Sequence, residues 1–233
     1  MAYTFKDIWD SLPPEKRRQD GLWTLWVLRP LSIPVTWLAL RLGLSANGVS
    51  YLSVFFSIGG GILFGLRGIY LPLLGAVLLN VFSILDCVDG NIARVTHTAS
   101  PWGGWADAVM GFIAYTAVFL SSGVYVFLRT GWWPVLLIAA LTSSANLLTR
   151  VAYQIYKNIQ GEEAHGSVSR ERKLAENVGI TGFMMPALII CHLFGGMPLI
   201  IGFNALFYTA GCGITIIKLA KKSGRQGGKG AQS

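Results

Sequence analysis

Residues 78–94 read LLNVFSILDCVDGNIAR, and the reading of this stretch decides the fold. Its first half continues an apolar run that begins near Tyr70, reaching the roughly 20 residues that a helix needs to cross a bilayer core. Its second half sets two aspartates, Asp86 and Asp89, where that run ends. On a helix Asp86, Asp89, Gly90 and Ala93 follow i, i+3, i+4 and i+7, so they share one face. A carboxylate at membrane depth is costly, and it marks a place where chemistry or ion binding is expected.

The next apolar run opens PWGGWADAVMGFIAY at residues 101–115, with Gly103, Asp107 and Gly111 at i, i+4 and i+8. A short joint separates the two runs, so two adjacent helices can turn these faces toward each other near one membrane surface. Three carboxylates in a small space repel one another, and Arg94, one turn from Gly90, cannot offset all of them. Oxygen ligands of this kind suit Mg²⁺ or Mn²⁺. Gly90, Ala93 and Gly103 leave space on the same stripes, and bound cations beside that space point to a diphosphate group.

The same alternation of long apolar runs and short polar joints fills the chain. Of 233 residues, 53% are hydrophobic and 13% are charged, against roughly a quarter charged in soluble domains. Spans are expected at about 46–66, 70–94, 102–129, 132–158, 173–195 and 198–221. Residues 28–43 are apolar but short, broken by Pro30 and Pro34 and flanked by Arg29 and Arg41. They read as an amphipathic helix lying in the interface, the alternative being a seventh, broken span. The expectation is therefore an all-α protein: one membrane domain over 1–233, six transmembrane helices after an interfacial helix, and a flexible basic tail over 222–233. Residues 1–20 are rich in charge and contain no apolar stretch of signal-peptide length.

Charge sets the orientation. Of 19 lysines and arginines, 17 fall at the ends shared with the termini and two, Arg67 and Arg129, at the opposite ends. This predicts cytoplasmic termini and a cytoplasmic site. The net charge of +8 lies beside the apolar runs, which argues for membrane lipids as partners and against nucleic acid. Cys87, Cys191 and Cys212 have no metal or disulfide spacing and read as packed side chains.

Read together, Asp86-x2-Asp89-Gly90-x2-Ala93-Arg94-x8-Gly103-x3-Asp107-x3-Gly111 resembles the signature of the CDP-alcohol phosphotransferase (CDP-alcohol phosphatidyltransferase) family, DxxDGxxARx8GxxxDxxxD. Seven of its eight fixed positions are present. The resemblance implies a membrane transferase of phospholipid or related lipid biosynthesis. It would move a substituted phosphate from a CDP-linked donor, such as CDP-diacylglycerol, to a lipid or polar acceptor with release of CMP. It implies Asp86, Asp89 and Asp107 as metal ligands for Mg²⁺ or Mn²⁺, with Asp107 also in the catalytic set. It implies Gly90, Ala93, Arg94 and Gly103 around the nucleotide, and a homodimer. Ser45–Ser50 is similar to the family's segment at the start of the first span, making Asn47 a candidate cytidine contact. Arg150 and Lys157 stand where many members keep basic residues for an acceptor phosphate.

The eighth position, an aspartate in the family and its expected general base, is Gly111 here. The chain is then a naturally altered or inactive relative, a deliberately disabled form, an enzyme with another base such as His97, or one whose acceptor is already anionic. Two rivals follow: a nucleotide- or lipid-binding protein without turnover, and an ion or proton transporter using the three aspartates. Clustering of these carboxylates near one surface counts against the transporter, which needs polar groups through the full depth. Asn80 and Asn146 read as bonds between helices, Gly59–Gly61 as a close helix contact, His192 as packing or interfacial hydrogen bonding, and His165 as solvated.

Overall fold

The long apolar runs become helices in the structure, a computed structural model that describes residues 3–160, 177 and 179–230. In chain order they are α1 (Phe5–Asp10), α2 (Pro14–Gln19), α3 (Arg29–Arg41), α4 (Ala46–Gly65), α5 (Tyr70–Val95), α6 (Pro101–Thr130), α7 (Pro134–Gln160), α8 (Met185–Phe194) and α9 (Met197–Gly230). Short π-helical turns, Thr24–Leu28 and Ile180–Met184, lead into α3 and α8. No strand occurs among the described residues, so the fold is all-α.

Among the described residues five helices (α4, α5, α6, α7 and α9) are long and apolar enough to cross a membrane. The expected fifth span, 173–195, is described as the apolar stretch Ile180–Phe194. At 1.5 Å per residue its helix covers about 22 Å, short of a bilayer core, so six full spans are not seen among the described residues. Most of the joint 159–172 lies outside those residues, as does His165, and the side chain of Lys157 lies outside them too. The backbone of α9 runs to Gly230, through most of the stretch expected as a flexible tail.

Glycine sets how closely the central helices approach. A Cβ on Gly60 would lie 3.0 Å from the Gly75 carbonyl oxygen, and one on Gly75 would strike the Phe64 backbone. Gly61 faces Ala117 in the same way. The α4 helix is thereby pressed against both α5 and α6, around a core that includes Phe64, Phe82, Val118 and Leu188. Gly59 has nothing within 4 Å and takes no part. Asn80 on α5 donates to the Met185 carbonyl at 2.9 Å, which ties α8 to the bundle.

The interfacial helix has its polar side inward. Arg29, Ser32, Thr36 and Ala39 of α3 are buried, while Leu31, Leu38 and Leu42 at its other faces are exposed. At 13 residues α3 is too short to be a seventh span. Asn91 of α5 holds it, donating to Ser32 Oγ at 3.0 Å and Thr36 Oγ1 at 3.1 Å.

The first turn of α1 is closed by a Thr4–Asp7 capping box. Phe5 packs on Trp37 of α3 at 5.5 Å, and Ile8 and Leu12 are buried. Leu22 N–H donates to Asn177 Oδ1 at 2.6 Å. The segment ahead of α3 is thus docked onto the bundle, although each of its helices has only six residues.

At the far end, Arg129 donates to the Leu66 and Gly68 carbonyls and lies over the Tyr125 ring at 3.5 Å. His192 Nε2 contacts the Ile69 carbonyl at 2.8 Å, which fixes Nε2 as the donor and Nδ1 as the acceptor from the Tyr125 hydroxyl at 2.9 Å. These bonds clasp the α4–α5 turn to α6 and α8.

Candidate functional site

Helix starts and ends meet at the opposite end of the bundle. The first residues of α4 and α6 are fixed by N-caps: Ser45 Oγ accepts from Gly48 N–H, and Ser100 Oγ accepts from Gly103 N–H, each at 3.1 Å. The last turns of α5 line the same space. Here a cavity of about 460 Å³ opens.

One wall is acidic. Asp86, Asp89 and Asp107 all line the cavity, as do Gly90, Ala93, Arg94, Gly103 and Asn47. The helical spacing read along α5 and across the α5–α6 joint therefore brings these predicted residues together. Asp89 is buried and accepts from Ser50 Oγ on α4 at 2.5 Å. Asp86 is close enough to both Asp89 and Asp107 to feel their charge. Among the described residues the one ion pair within 4 Å is Asp20–Arg29, so none of the three wall carboxylates has a cation at contact distance.

Their oxygen donors match a hard divalent cation in kind. As placed, however, no three His, Cys, Asp or Glu residues among those described are gathered closely enough to hold one. The donor set fits, and the arrangement would have to tighten.

Basic side chains line the same cavity. Arg94 donates to Asn91 Oδ1 at 2.6 Å, while its buried Nε has no hydrogen-bond partner. A Cβ on Gly90 would sit 3.1 Å from the Arg94 guanidinium, so this glycine makes room for the arginine. Arg150, from α7, reaches the cavity, lies over the Tyr115 ring at 4.3 Å and bonds Asn146 Oδ1 at 3.3 Å. Asn146 thus bonds within its own helix.

The N-terminal segment supplies the rest. Lys16, Gln19 and Asp20 line the cavity together with Arg29. Arg29 is locked to Asp20 by two hydrogen bonds, at 2.8 and 3.2 Å. Lys16 is exposed where it lines the cavity, yet protein crowds its ammonium. Burial, then Arg94 and Arg29, hold its ammonium below the usual lysine range, while Asp20 and Asp107 pull the other way.

Gly111 is buried and does not line the cavity. A Cβ there would meet the Tyr115 ring at 3.6 Å, an ordinary contact. Tyr115, one turn on, does line the cavity. His97 is exposed with φ of 55° and is not among the lining residues, so the structure does not bring it to the aspartates.

Sequence reasoning missed Ser50, Tyr115 and the Lys16–Asp20 face. Ser50 had a signal, since it lies one turn from Asn47. The Lys16 face had none, because a six-residue helix shows no usable periodicity.

Two curated relatives align with parts of the chain. Phosphatidylinositol phosphate synthase of Streptomyces avermitilis is 32% identical over 80 residues, 34% of this chain and 32% of that protein. The bifunctional IPC transferase and DIPP synthase of Aquifex aeolicus is 28% identical over 118 residues, 49% of this chain and 26% of that protein. The alignments thus span about a third and a quarter of those relatives. A family model for CDP-alcohol phosphatidyltransferase matches residues 25–217, which include every cavity residue except those of the N-terminal segment. The chain, a multi-pass membrane protein, belongs to the CDP-alcohol phosphatidyltransferase family.

Proposed function

We propose that this protein transfers a substituted phosphate from CDP-diacylglycerol or a similar CDP-linked donor to the hydroxyl of a phosphorylated alcohol, releasing CMP at the cytoplasmic face. The observation that carries the reading is one cavity lined by three aspartates, none in an ion pair among the described residues, together with Arg94 and Arg150. A diphosphate and a second phosphate suit such a site better than a neutral acceptor does. The name of the Streptomyces relative, with phosphate on its inositol product, agrees with this acceptor class.

In the reaction the acceptor oxygen bonds to the phosphorus that carries the lipid alcohol. The bond from that phosphorus to the oxygen of CMP breaks, and CMP departs with the electron pair. Asp86, Asp89 and Asp107 would hold Mg²⁺ or Mn²⁺, which would neutralise charge on the diphosphate and the leaving group. Asn47, Gly90, Ala93, Arg94 and Gly103 would bound the nucleotide. Arg150 would hold the acceptor phosphate, with Lys157, two turns further along α7, as a second candidate. With glycine at 111, the acceptor proton must leave to a group other than a carboxylate there. A homodimer, a sixth span, and a flexible tail over 222–233 remain part of the reading.

The test is CMP release by purified protein with CDP-diacylglycerol, Mg²⁺ or Mn²⁺, and acceptors paired with and without phosphate. The expected result is metal-dependent release that favours the phosphorylated member, and a loss of at least about 10²-fold in Asp89→Asn. Release onto neutral alcohols alone would sink the acceptor assignment. Gly111 favours a second reading, a binder of nucleotide or lipid without turnover. CDP binding with no CMP release from any donor would support that one.

A further inference from the structure

The family match begins at residue 25, yet the cavity is partly walled by residues that precede it. Lys16 and Gln19 lie at i and i+3 on α2, so one face of this short helix meets the cavity. Arg17 turns away, donating to the Trp9 carbonyl at 2.7 Å and stacking over the Trp9 ring at 4.5 Å. The buried bidentate Asp20–Arg29 pair and the Leu22–Asn177 bond hold the segment in place. The face is therefore built and docked.

Lys16 lines the cavity with Asp86, Asp89, Asp107, Arg29 and Arg94. It is attracted by the three aspartates and repelled by Arg94 and Arg29. Among the described residues it makes no ion pair within 4 Å. Asp20, the carboxylate on its own helix end, is already taken by Arg29. Lys16, Arg29 and Arg94 line one cavity and repel one another, and among the described residues the one ion pair any of them makes is Arg29 with Asp20. An anion entering the cavity would give Lys16 and Arg94 a partner.

We propose that Lys16 is a ligand for a phosphate group of the bound substrates, supplied by a segment outside the family region. The inference rests on the phosphate-bearing substrates proposed above. The group is either the diphosphate of the donor or the phosphate of the acceptor.

Two experiments separate these, and the first does not need turnover. In the wild-type protein, acetylation of Lys16 by an amine reagent is followed by mass spectrometry with CDP, inositol, inositol 1-phosphate or inorganic phosphate present. Protection of about fivefold or more by CDP marks the donor. Protection by inositol 1-phosphate or inorganic phosphate, but not inositol, marks the acceptor. No protection by any of them at saturation overturns the proposal, even if the protein proves to be a binder without turnover.

In the second, Lys16→Gln is expected to raise KM for one substrate about tenfold or more, the loss of one charge-assisted bond, with kcat held within about threefold. Lys16→Arg restores it, and Arg18→Gln on the exposed side of α2 changes nothing. A fall in kcat alone, or equal effects of the Lys16 and Arg18 variants, would assign Lys16 to docking or to the general field.

Discussion

Asp89 is the wall carboxylate whose setting is most fully defined. Ser50 reaches across from α4 to one of its oxygens, and both residues are buried. Removing this donor leaves a carboxylate oxygen short of a partner, at a cost of about 1.5–3 kcal/mol. Ser50→Ala should therefore lower the thermal midpoint in detergent and weaken binding at the cavity, whereas Ser53→Ala should affect neither the cavity nor its ligands, since Ser53 bonds only the Ser50 carbonyl. Equal ligand affinity in wild type and Ser50→Ala would show that this hydroxyl does not set Asp89. Gly111 poses the complementary question. Its Cβ direction meets Tyr115 at ordinary contact distance, so a side chain can enter without displacing backbone. A positioned base contributes about 10²–10⁴-fold, and Gly111→Asp is expected to raise kcat for hydroxyl acceptors by at least the lower figure. Unchanged kcat would mean that the proton already leaves by another route.

At the scale of elements, the site depends on how closely α4 and α5 approach, because Asn47 and Ser50 face the aspartates only while that contact holds. Gly75→Ala would drive a methyl into the Phe64 and Gly60 backbones, which cannot give way as a side-chain tip can. Overpacking of this kind costs about 1–3 kcal/mol and more against backbone. The expected result is a loss of monodisperse protein on gel filtration together with a loss of nucleotide binding. Gly59→Ala, one residue from the contact, should behave as wild type, since nothing lies within 4 Å. Similar profiles for the two variants would remove the special status of the Gly60–Gly75 contact. The tripeptide Gly59–Gly60–Gly61 signalled close packing in the sequence, but which glycine faces which helix depends on a rotation that spacing alone leaves open. The same limit applied to α3. Its apolar length was readable from Arg29 to Arg41, whereas its inward polar face became visible only with Asn91 set against Ser32 and Thr36.

At the scale of the molecule, bilayer thickness makes long apolar runs legible, and five of the expected spans match α4 to α7 and the Met197–Lys222 part of α9 within a few residues. The aspartate wall was legible because helical periodicity sets Asp86 and Asp89 on one face of α5, and the short joint to α6 brings Asp107 to the same end of the bundle. The N-terminal wall was not, because α2 takes its place from the Asp20–Arg29 pair and the packing of Ile8 and Leu12, which no local pattern encodes. Two membrane edges follow from the same architecture. Trp102 and Trp105 are exposed at the start of α6, and Trp132 and Trp133 are exposed just beyond its end, as expected of aromatic belts at two interfaces. The cavity lies at the first belt and the Arg129 clasp at the second. With the basic residues concentrated on the cavity side, Thr98→Cys should react with a membrane-impermeant maleimide only when the cytoplasmic face is open to the reagent. Trp132→Cys should react only from the opposite face, with the parent protein giving the background from its own cysteines. Labelling of Thr98→Cys from outside intact cells would reverse the topology, and the donor and acceptor would then have to reach the cavity from the non-cytoplasmic side.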